Sequence, residues 1–109
     1  MKSIYRLKKN YQYNYVYKHA ESVADRYFVL LYCKSNRTVP QAGFSISKKY
    51  GHAVNRNRIR RQMKAVTAKI MPNVKNGYNV VIIPRKTDIA FAKITESINA
   101  LFEKAGLLQ

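Results

Sequence analysis

Hydrophobic residues recur with the period of an α-helix through the middle of the chain. One apolar stripe is formed by residues spaced i, i+4, i+7 and i+11: Ile59, Met63, Val66 and Ile70. Gly51 interrupts the chain before this stretch, and Pro72 cannot continue a helix beyond it. The pattern therefore predicts a helix between these two residues, with one side buried.

A second helical pattern occupies the C-terminal part of the chain. Its apolar stripe, which we expect to face the core, consists of Phe91, Ile94, Ile98, Leu101, Phe102 and Ala105. Thr87 precedes this stripe and has the hydroxyl group of a helix N-cap. The pattern predicts a last helix that is capped by Thr87.

Three further segments have the composition of β-strands. The run Tyr27–Cys33 is apolar on both faces, which is typical of a central strand. The run Tyr78–Ile83 is similar; the Asn76-Gly77 turn precedes it and Pro84 ends it. Residues 42–47 alternate between apolar and polar, which predicts a half-exposed strand paired antiparallel to the preceding one. A short extra strand is also compatible with residues 22–24.

The segment Asn10–His19 fits two patterns. Its tyrosines alternate strictly at 11, 13, 15 and 17, which favours a strand. Tyr13, Val16, Tyr17 and Ala20 instead follow helical spacing, and Asn10 is able to cap a helix. As a helix, the segment would place Tyr13 and Tyr17 on one side, either as a platform for unstacked bases or as part of the core. The residues alone leave both interpretations open.

These elements give the order α-β-β-α-β-α and one α+β domain over residues 1–109. The chain is long enough for a single modest core. We expect residues 1–6 to be loosely ordered, and the basic side chains near this end are free to reach phosphates: Lys2, Arg6, Lys8 and Lys9.

The charge indicates a polyanionic partner. The chain has 21 Lys and Arg against 5 Asp and Glu, a formal net charge of +16. Nucleic acid explains this excess best, since every neutralised phosphate releases condensed counterions. A membrane is the rival, but no apolar run is long enough to span one. Cys33 is the only cysteine, which argues for a reducing compartment, and we expect a cytoplasmic protein in which this thiol is buried.

Much of the charge lies on the predicted central helix. At about 100° per residue, the side opposite the apolar stripe carries Asn57, Arg58, Arg60, Arg61 and Lys64. No acidic residue occurs from Arg26 to Thr87, and we expect none near this helix. A merely solvated helix face normally mixes charges of both signs. The unmixed face therefore favours binding to nucleic acid over simple solvation.

The same acids argue against a catalytic site in this chain. The five carboxylates are scattered, so no cluster is available to hold two metal ions. His19 and His52 have no obvious carboxylate to orient them as an acid–base pair. We predict no catalytic residues and no metal site.

Several motifs in sequence order resemble the protein subunit of bacterial ribonuclease P. They are Leu7-Lys8-Lys9-Asn10, Ser22-Val23-Ala24-Asp25-Arg26, Gly43-Phe44-Ser45-Ile46-Ser47-Lys48-Lys49 and, most specifically, the stretch from Gly51 to Arg61 with its Arg56-Asn57-Arg58 signature. A lone Arg-Asn-Arg would be a weak signal. Their order and spacing over essentially the whole chain make the resemblance specific.

The resemblance implies a fold and an RNA partner. The fold is a two-layer α+β sandwich, like that of a ribosomal protein domain, with an unusual left-handed β-α-β crossover through the signature helix. Asn10–His19 is a helix in this family. The resemblance also implies that the signature helix and the lysines before it face the catalytic RNA subunit, through Lys48, Lys49, Arg56, Asn57, Arg58, Arg60, Arg61 and Lys64.

The resemblance further implies a substrate and a division of labour. A cleft between the first helix and the sheet would hold the single-stranded 5′ leader of precursor tRNA, through Tyr13, Tyr17, Val29 and Leu31, with Arg85 and Lys86 near its edge. The RNA would hold Mg²⁺ and carry out phosphodiester hydrolysis, and the protein would bind no metal tightly. Neither DNA nor a membrane is expected as a partner. The alternative is a ribosomal or general RNA-binding protein without a catalytic partner.

Overall fold

The computed structural model describes residues 1–109 and contains three helices and four strands. The helices are α1 (Asn10–His19), α2 (Ala53–Ile70) and α3 (Phe91–Lys104). The strands are β1 (Glu21–Ala24), β2 (Phe28–Lys34), β3 (Gln41–Phe44) and β4 (Tyr78–Pro84). Single 3₁₀ turns occur at Ser3–Tyr5, Lys48–Tyr50 and Met71–Asn73.

The strands form one mixed sheet in the order β1-β2-β4-β3. The pairs β1–β2 and β2–β4 are antiparallel, whereas β3 and β4 are parallel. The predicted central position of β2 is confirmed, as are the short strand β1 and the buried strand β4. The chain turns into β4 at Gly77, whose φ of 81° favours glycine.

The predicted pairing of β3 is wrong. We expected it to lie antiparallel to β2, but β4 occupies that position, and β3 pairs with β4 at the sheet edge. The strand is also shorter than the alternating pattern indicates, since it ends at Phe44. Gln41, Ala42 and Gly43 are buried, so β3 is not half-exposed. Helix α2 connects β3 to its parallel neighbour, which makes the expected β-α-β crossover; its left-handed sense stays a prediction.

Helices cover both faces of the sheet. On one face, Leu30, Val80 and Ile82 belong to the main core together with the stripe of α2 and the buried side of α3. On the other face, Val16 of α1 packs in a smaller cluster with Cys33 and Val81. The two-layer sandwich therefore describes the sheet with α2 and α3, and α1 adds a partial third layer.

The ambiguous tyrosine-rich segment is helical, as the resemblance implies. Helix α1 is capped by the side chain of one of its own residues, Gln12. Its Oε1 accepts the backbone N–H groups of Lys8 (3.2 Å) and Lys9 (3.0 Å). Asn10 is the first helical residue, so the prediction that it caps the helix is wrong. Before α1, the Leu7 N–H donates to the Ala42 carbonyl, which holds Arg6 and Leu7 against the β3 edge.

The start of α3 also differs from the prediction. The helix begins at Phe91, after Ala90, and no side chain caps it. Asp88 has a φ of 54° and turns the chain, so Thr87 lies outside the helix and does not cap it. Phe91 is 50 % exposed, whereas Ile94 and the later residues of the stripe up to Phe102 are buried.

Asp25 connects the β1–β2 turn to α3. One carboxylate oxygen accepts the N–H groups of Tyr27 (2.8 Å) and Phe28 (2.9 Å), and the other accepts the Ser97 hydroxyl. Burial alone would raise the pKa of Asp25, but the hydrogen bonds from Ser97, Phe28 and Tyr27 and the charge of Arg85 outweigh it and lower this pKa. The ionised carboxylate therefore stabilises this end of the sheet.

Candidate RNA interface

Helix α2 is held by its apolar stripe, which leaves its polar side on the surface. Ile59 and Met63 are buried against the sheet. Asn57, Arg58 and Arg61 are exposed, while the remaining predicted residues of the helix are half-buried: Arg56, Arg60 and Lys64. The structure thus brings the predicted cations of this helix together on one surface.

The 3₁₀ turn before α2 adds two further cations. Lys48 and Lys49 are exposed, and the turn begins where Ser47 Oγ accepts the Lys49 N–H at 3.1 Å. Arg56 Nη1 donates to the Gly51 carbonyl at 2.8 Å, which ties the turn to the first part of the helix. Arg56 therefore has a structural role besides its charge. We call Lys48, Lys49 and the polar side of α2 the α2 surface.

The α2 surface carries charges that no carboxylate neutralises by contact. The ion pair in the structure is Lys93 with Glu96, 3.5 Å apart on α3. Within the α2 surface, Arg60 Nη1 donates to Asn57 Oδ1 at 3.0 Å, which orients one guanidinium without reducing its charge. Unpaired cations at this density favour a polyanionic ligand.

One acidic residue does lie near α2, so the prediction that none would is wrong. Asp88 and Arg58 line the same hollow of about 380 Å³, together with Tyr50 and Asn55. The pKa of Tyr50 is raised by burial and then by the Asp88 carboxylate, whereas Arg58 lowers it. The β4–α3 connection brings this carboxylate back to the N-terminal part of α2. Asp88 and Arg58 are far apart in the sequence, so no local pattern shows that they are close in the fold.

The predicted cleft lies on the α1 face of the sheet. The rings of Tyr13 and Tyr17 are 6.4 Å apart and tilted by 44°. Leu31 packs half-buried with the α1 cluster, and Val29 follows on the same strand face, opposite Ile83 of β4. Tyr13 of α1 and Leu31 of β2 pack on the same buried cluster, so the helix and the sheet adjoin here. That Tyr17 and Val29 line one cleft with them stays a prediction.

Tyr13 occupies the deeper position in this cleft. It is half-buried, and the hydroxyl end of its ring lies against the β3 backbone at Gly43. Burial raises its pKa, although the Phe44 backbone and the charges of Arg6 and Arg60 act in the opposite direction. Tyr17 is 47 % exposed, so about half of its side chain is accessible to a ligand.

The two predicted cations at the cleft edge have unequal freedom. Arg85 follows β4, and its Nη1 donates to the Asp25 carbonyl at 2.7 Å. Its backbone N–H also donates to the Tyr27 carbonyl, so Arg85 secures the β1–β2 turn. Lys86 is exposed beside it.

The cleft and the α2 surface meet at the β3 edge. A small hollow there is lined by Tyr13 and Gly43 and by the cations Arg6, Arg60 and Lys64. A Cβ atom on Gly43 would lie within 2.6 Å of the Tyr13 ring, so only glycine lets the tyrosine cross this strand. Tyr13 therefore lies next to cations of α2.

Gly43 and Ile83 also belong to this site, although no sequence pattern indicates it. The β2–β4 register places Ile83 beside Val29, and no local pattern shows this pairing. Arg6 is expected from the sequence to reach phosphates from a loosely ordered end, but not to line a hollow with Tyr13. The close approach of Tyr13 to Gly43 depends on β3 lying beyond β4, which the predicted sheet order did not contain.

The fold and the site together define a basic α+β RNA-binding protein. It has one cationic helix surface, and beside it a cleft lined by aromatic and aliphatic side chains, suited to unpaired bases. No three His, Cys, Asp or Glu side chains lie close enough together to hold a metal ion. None of the helices is long and apolar enough to cross a membrane.

Comparison with known proteins identifies the family. The family model described as Ribonuclease P matches residues 1–106. The ribonuclease P protein component of Symbiobacterium thermophilum is 38% identical over 100% of this chain and 97% of its own length. That of Exiguobacterium is 41% identical over 100% of this chain and 96% of its own. The chain belongs to the ribonuclease P protein family.

Solved structures agree with this assignment. The Staphylococcus aureus RNase P protein superimposes with a TM-score of 0.88 at 30% identity, covering 96% of this chain and 98% of that one. The Thermotoga maritima protein gives 0.79 at 25% identity over 90% and 96%. The family provides the protein subunit of the ribonucleoprotein endonuclease that matures tRNA 5′ ends, so an RNA subunit is a partner. The alternative of an RNA-binding protein without a catalytic partner is therefore wrong.

Proposed function

We infer that the α2 surface binds the RNA subunit and that the cleft binds the 5′ leader of precursor tRNA. The observation that carries this division is the placement of two different chemistries on two sides of the sheet. The α2 surface offers unpaired cations and lies on the side of the main core. The cleft offers tyrosine rings and half-buried aliphatic residues on the α1 side.

Each surface has the chemistry that its proposed ligand requires. Guanidinium and ammonium groups bind phosphates, and the released counterions drive association with a densely charged folded RNA. A single-stranded leader exposes base faces, and stacking on tyrosine tolerates any base sequence. The hollow at Arg6, Arg60 and Lys64 joins the two surfaces, so the leader and the RNA subunit would meet there.

In this proposal the chemistry belongs to the RNA. Magnesium would be held mainly by RNA phosphates, and the protein would lower the repulsion between the RNA subunit and its substrate by neutralising charge. The protein contributes no catalytic side chain and no tight metal site. The proposed compartment is the bacterial cytoplasm, where a single buried thiol such as Cys33 stays reduced.

The first experiment tests the α2 surface. Arg58→Ala with Arg61→Ala removes two exposed cations, and Lys75→Ala with Lys104→Ala is a control with the same change in net charge. We expect the Arg58/Arg61 variant to bind the RNA subunit more weakly. The slope of log K against log salt concentration should also become shallower, by about 0.7–0.9 per lost phosphate contact. Equal binding by both double variants would refute the assignment of this surface.

The second experiment tests the cleft with precursor tRNAs of different leader length. Tyr13→Ala with Tyr17→Ala should weaken binding of a leader of about five nucleotides by roughly 1–3 kcal/mol per lost stack. Binding of a substrate with a one-nucleotide leader should stay unchanged. Replacing both tyrosines with phenylalanine keeps the rings and should preserve affinity. An equal loss for both leaders would show that the cleft does not hold the leader.

A further inference from the structure

Helix α1 presents a second set of aromatic side chains that the cleft does not use. Tyr11 is 67 % exposed and Tyr15 is 52 % exposed, so neither belongs to the core. At about 100° per residue they point away from Tyr13 and Tyr17, across the helix axis. Tyr15 lies against His19, with ring centroids 4.4 Å apart and planes tilted by 40°. This side of α1 therefore carries an exposed stacking surface of its own.

A groove runs beside these rings where β2 ends and β4 begins. It has a volume of about 610 Å³, and its walls include Tyr11 and Tyr15. Three cations also line it: Lys18 from α1, Lys34 from β2 and Arg37 from the β2–β3 connection. No Asp or Glu lines the groove. Aromatic rings interspersed with unopposed cations are the pattern that binds single-stranded nucleic acid.

The groove continues toward the N-terminal segment. A neighbouring groove of about 620 Å³ shares Tyr11 and Arg37 with the first. It adds the cations Arg6, Lys8 and Lys9, and it too has no carboxylate in its lining. The two grooves form one basic path along this side of α1, which we call the far-side track.

The floor of each groove contains a polar side-chain atom that lacks a hydrogen-bond partner. Asn79 is 7 % exposed, and its Oδ1 is buried with no hydrogen-bond donor. Gln41, which lines the neighbouring groove, is also 7 % exposed and has the same deficit at Oε1. Unsatisfied buried acceptors are rare in folded proteins and carry a free-energy cost. Both oxygens are shielded from the grooves, so the side chains must rotate before an amino group of a nucleobase can donate to them.

We propose that the far-side track binds the distal part of the 5′ leader, with Tyr11 and Tyr15 stacking on bases and Lys34 and Arg37 contacting phosphates. This inference rests on the proposed binding of the proximal leader in the cleft. The track and the cleft share α1, so a leader held on one side of the helix has a high effective concentration at the other. The RNA subunit is assigned to α2, on the opposite face of the sheet.

The test uses the reconstituted holoenzyme and cleavage-resistant precursor tRNAs with leaders of about 5 and about 15 nucleotides. Tyr11→Ala with Tyr15→Ala should weaken binding of the long leader by about tenfold per lost stack and leave the short leader unaffected. Lys34→Gln with Arg37→Gln should weaken the long leader and flatten its salt dependence.

Matched variants separate stacking from folding. Tyr11→Phe with Tyr15→Phe keeps both rings and should bind the long leader as the unsubstituted protein does. Lys75→Gln with Lys104→Gln makes the same charge change elsewhere and should leave leader binding unchanged. Thermal unfolding of every variant shows whether the fold survives, and because Tyr11 and Tyr15 are exposed we expect no shift.

Three results would overturn the proposal. They are equal binding of the long leader by the alanine variant and the unsubstituted protein, an equal loss for both leader lengths, and a loss of affinity for the RNA subunit in the absence of substrate. The Tyr13→Ala/Tyr17→Ala variant, measured in parallel, distinguishes the two hypotheses. If it weakens binding of the short leader while the far-side variants bind both leaders normally, the assignment of the cleft is supported and that of the far-side track is refuted.

Discussion

Gly43→Ala adds one methyl group where β3 passes under Tyr13. Gly43 does not have a positive φ, so alanine fits its backbone, and the effect of the substitution is steric. The new Cβ would lie within 2.6 Å of the Tyr13 ring, closer than real Cβ contacts occur. The contacting atoms belong to the outer end of the tyrosine, so we expect the ring to swing out of the cleft.

The magnitude follows from what Tyr13 loses. The contacts of its half-buried ring contribute about 1–2 kcal/mol to the free energy of unfolding. We therefore expect Gly43→Ala to lower the free energy of unfolding by about 1–3 kcal/mol. The displaced ring should also cost leader affinity, by about the 1–3 kcal/mol of one base stack.

A double-mutant cycle tests the reasoning. Urea unfolding and leader binding are measured for Gly43→Ala, Tyr13→Ala and the combined variant. With Tyr13 truncated, the methyl group meets no ring, so Gly43→Ala should cost less than about 0.5 kcal/mol in that background. If Gly43→Ala is as costly there as in the unsubstituted protein, Tyr13 is not the reason for the glycine.

Substitutions of Asp25, Ser97 and Met63 and alkylation of Cys33 test other parts of the structure. Asp25→Ala should destabilise by about 1–3 kcal/mol at pH 7, and Ser97→Ala by less. Because the folded-state pKa of Asp25 is lowered, its stabilisation is complete above the unfolded value of about 4 and is lost as the pH falls below it. The gap between the Asp25→Ala and unsubstituted proteins should therefore narrow from pH 7 to pH 3, and a constant gap would contradict this. Met63 is 0% exposed, and Met63→Ala should cost about 2–5 kcal/mol in urea unfolding; a loss under about 1 kcal/mol would contradict its packing. Burial raises the pKa of the Cys33 thiol, so alkylation at pH 8 should be slow until urea unfolds the chain, and equal rates in both states would show that the thiol is accessible.

The helical pattern of α2 could be predicted because burial on one side acts directly on local sequence. Ile59, Met63, Val66 and Ile70 are all buried, as their spacing predicts. The strands β2 and β4 were predictable for the same reason, since both faces of each are covered by other elements. In contrast, only Val16 and Gln12 of α1 are buried, so its helical period is weak and the alternating tyrosines obscure it.

Strand pairing and helix caps depended on contacts that no local pattern contains. Nothing in residues 42–47 indicates that β4 would separate β3 from β2. The cap of α1 comes from Gln12, which reaches back from inside the helix, and Asn10 has the better composition for the same role. Asp88 is near α2 only because the chain returns from β4.

For the candidate site, the sequence predicted the charged and aromatic residues, but not the hydrogen bonds that some of them make within the fold. Arg56 and Arg85 each donate a hydrogen bond to a backbone carbonyl, so their guanidinium groups are partly committed to the fold. The sequence indicated no function for Tyr11 and Tyr15, which contributed only to the alternating pattern. Only the helix places them on the side opposite Tyr13 and Tyr17, beside the cations of the far-side track.

Cleavage of a precursor tRNA at low magnesium concentration tests whether this chain acts as the protein subunit of an RNA enzyme. The comparison is between this protein alone, a bacterial ribonuclease P RNA alone, and the two combined. We expect cleavage only in the mixture, or far faster there than with RNA alone, and none by the protein alone. Cleavage by the protein alone would reveal an active site in this chain, and an RNA whose activity the protein does not change would contradict its role as the protein subunit.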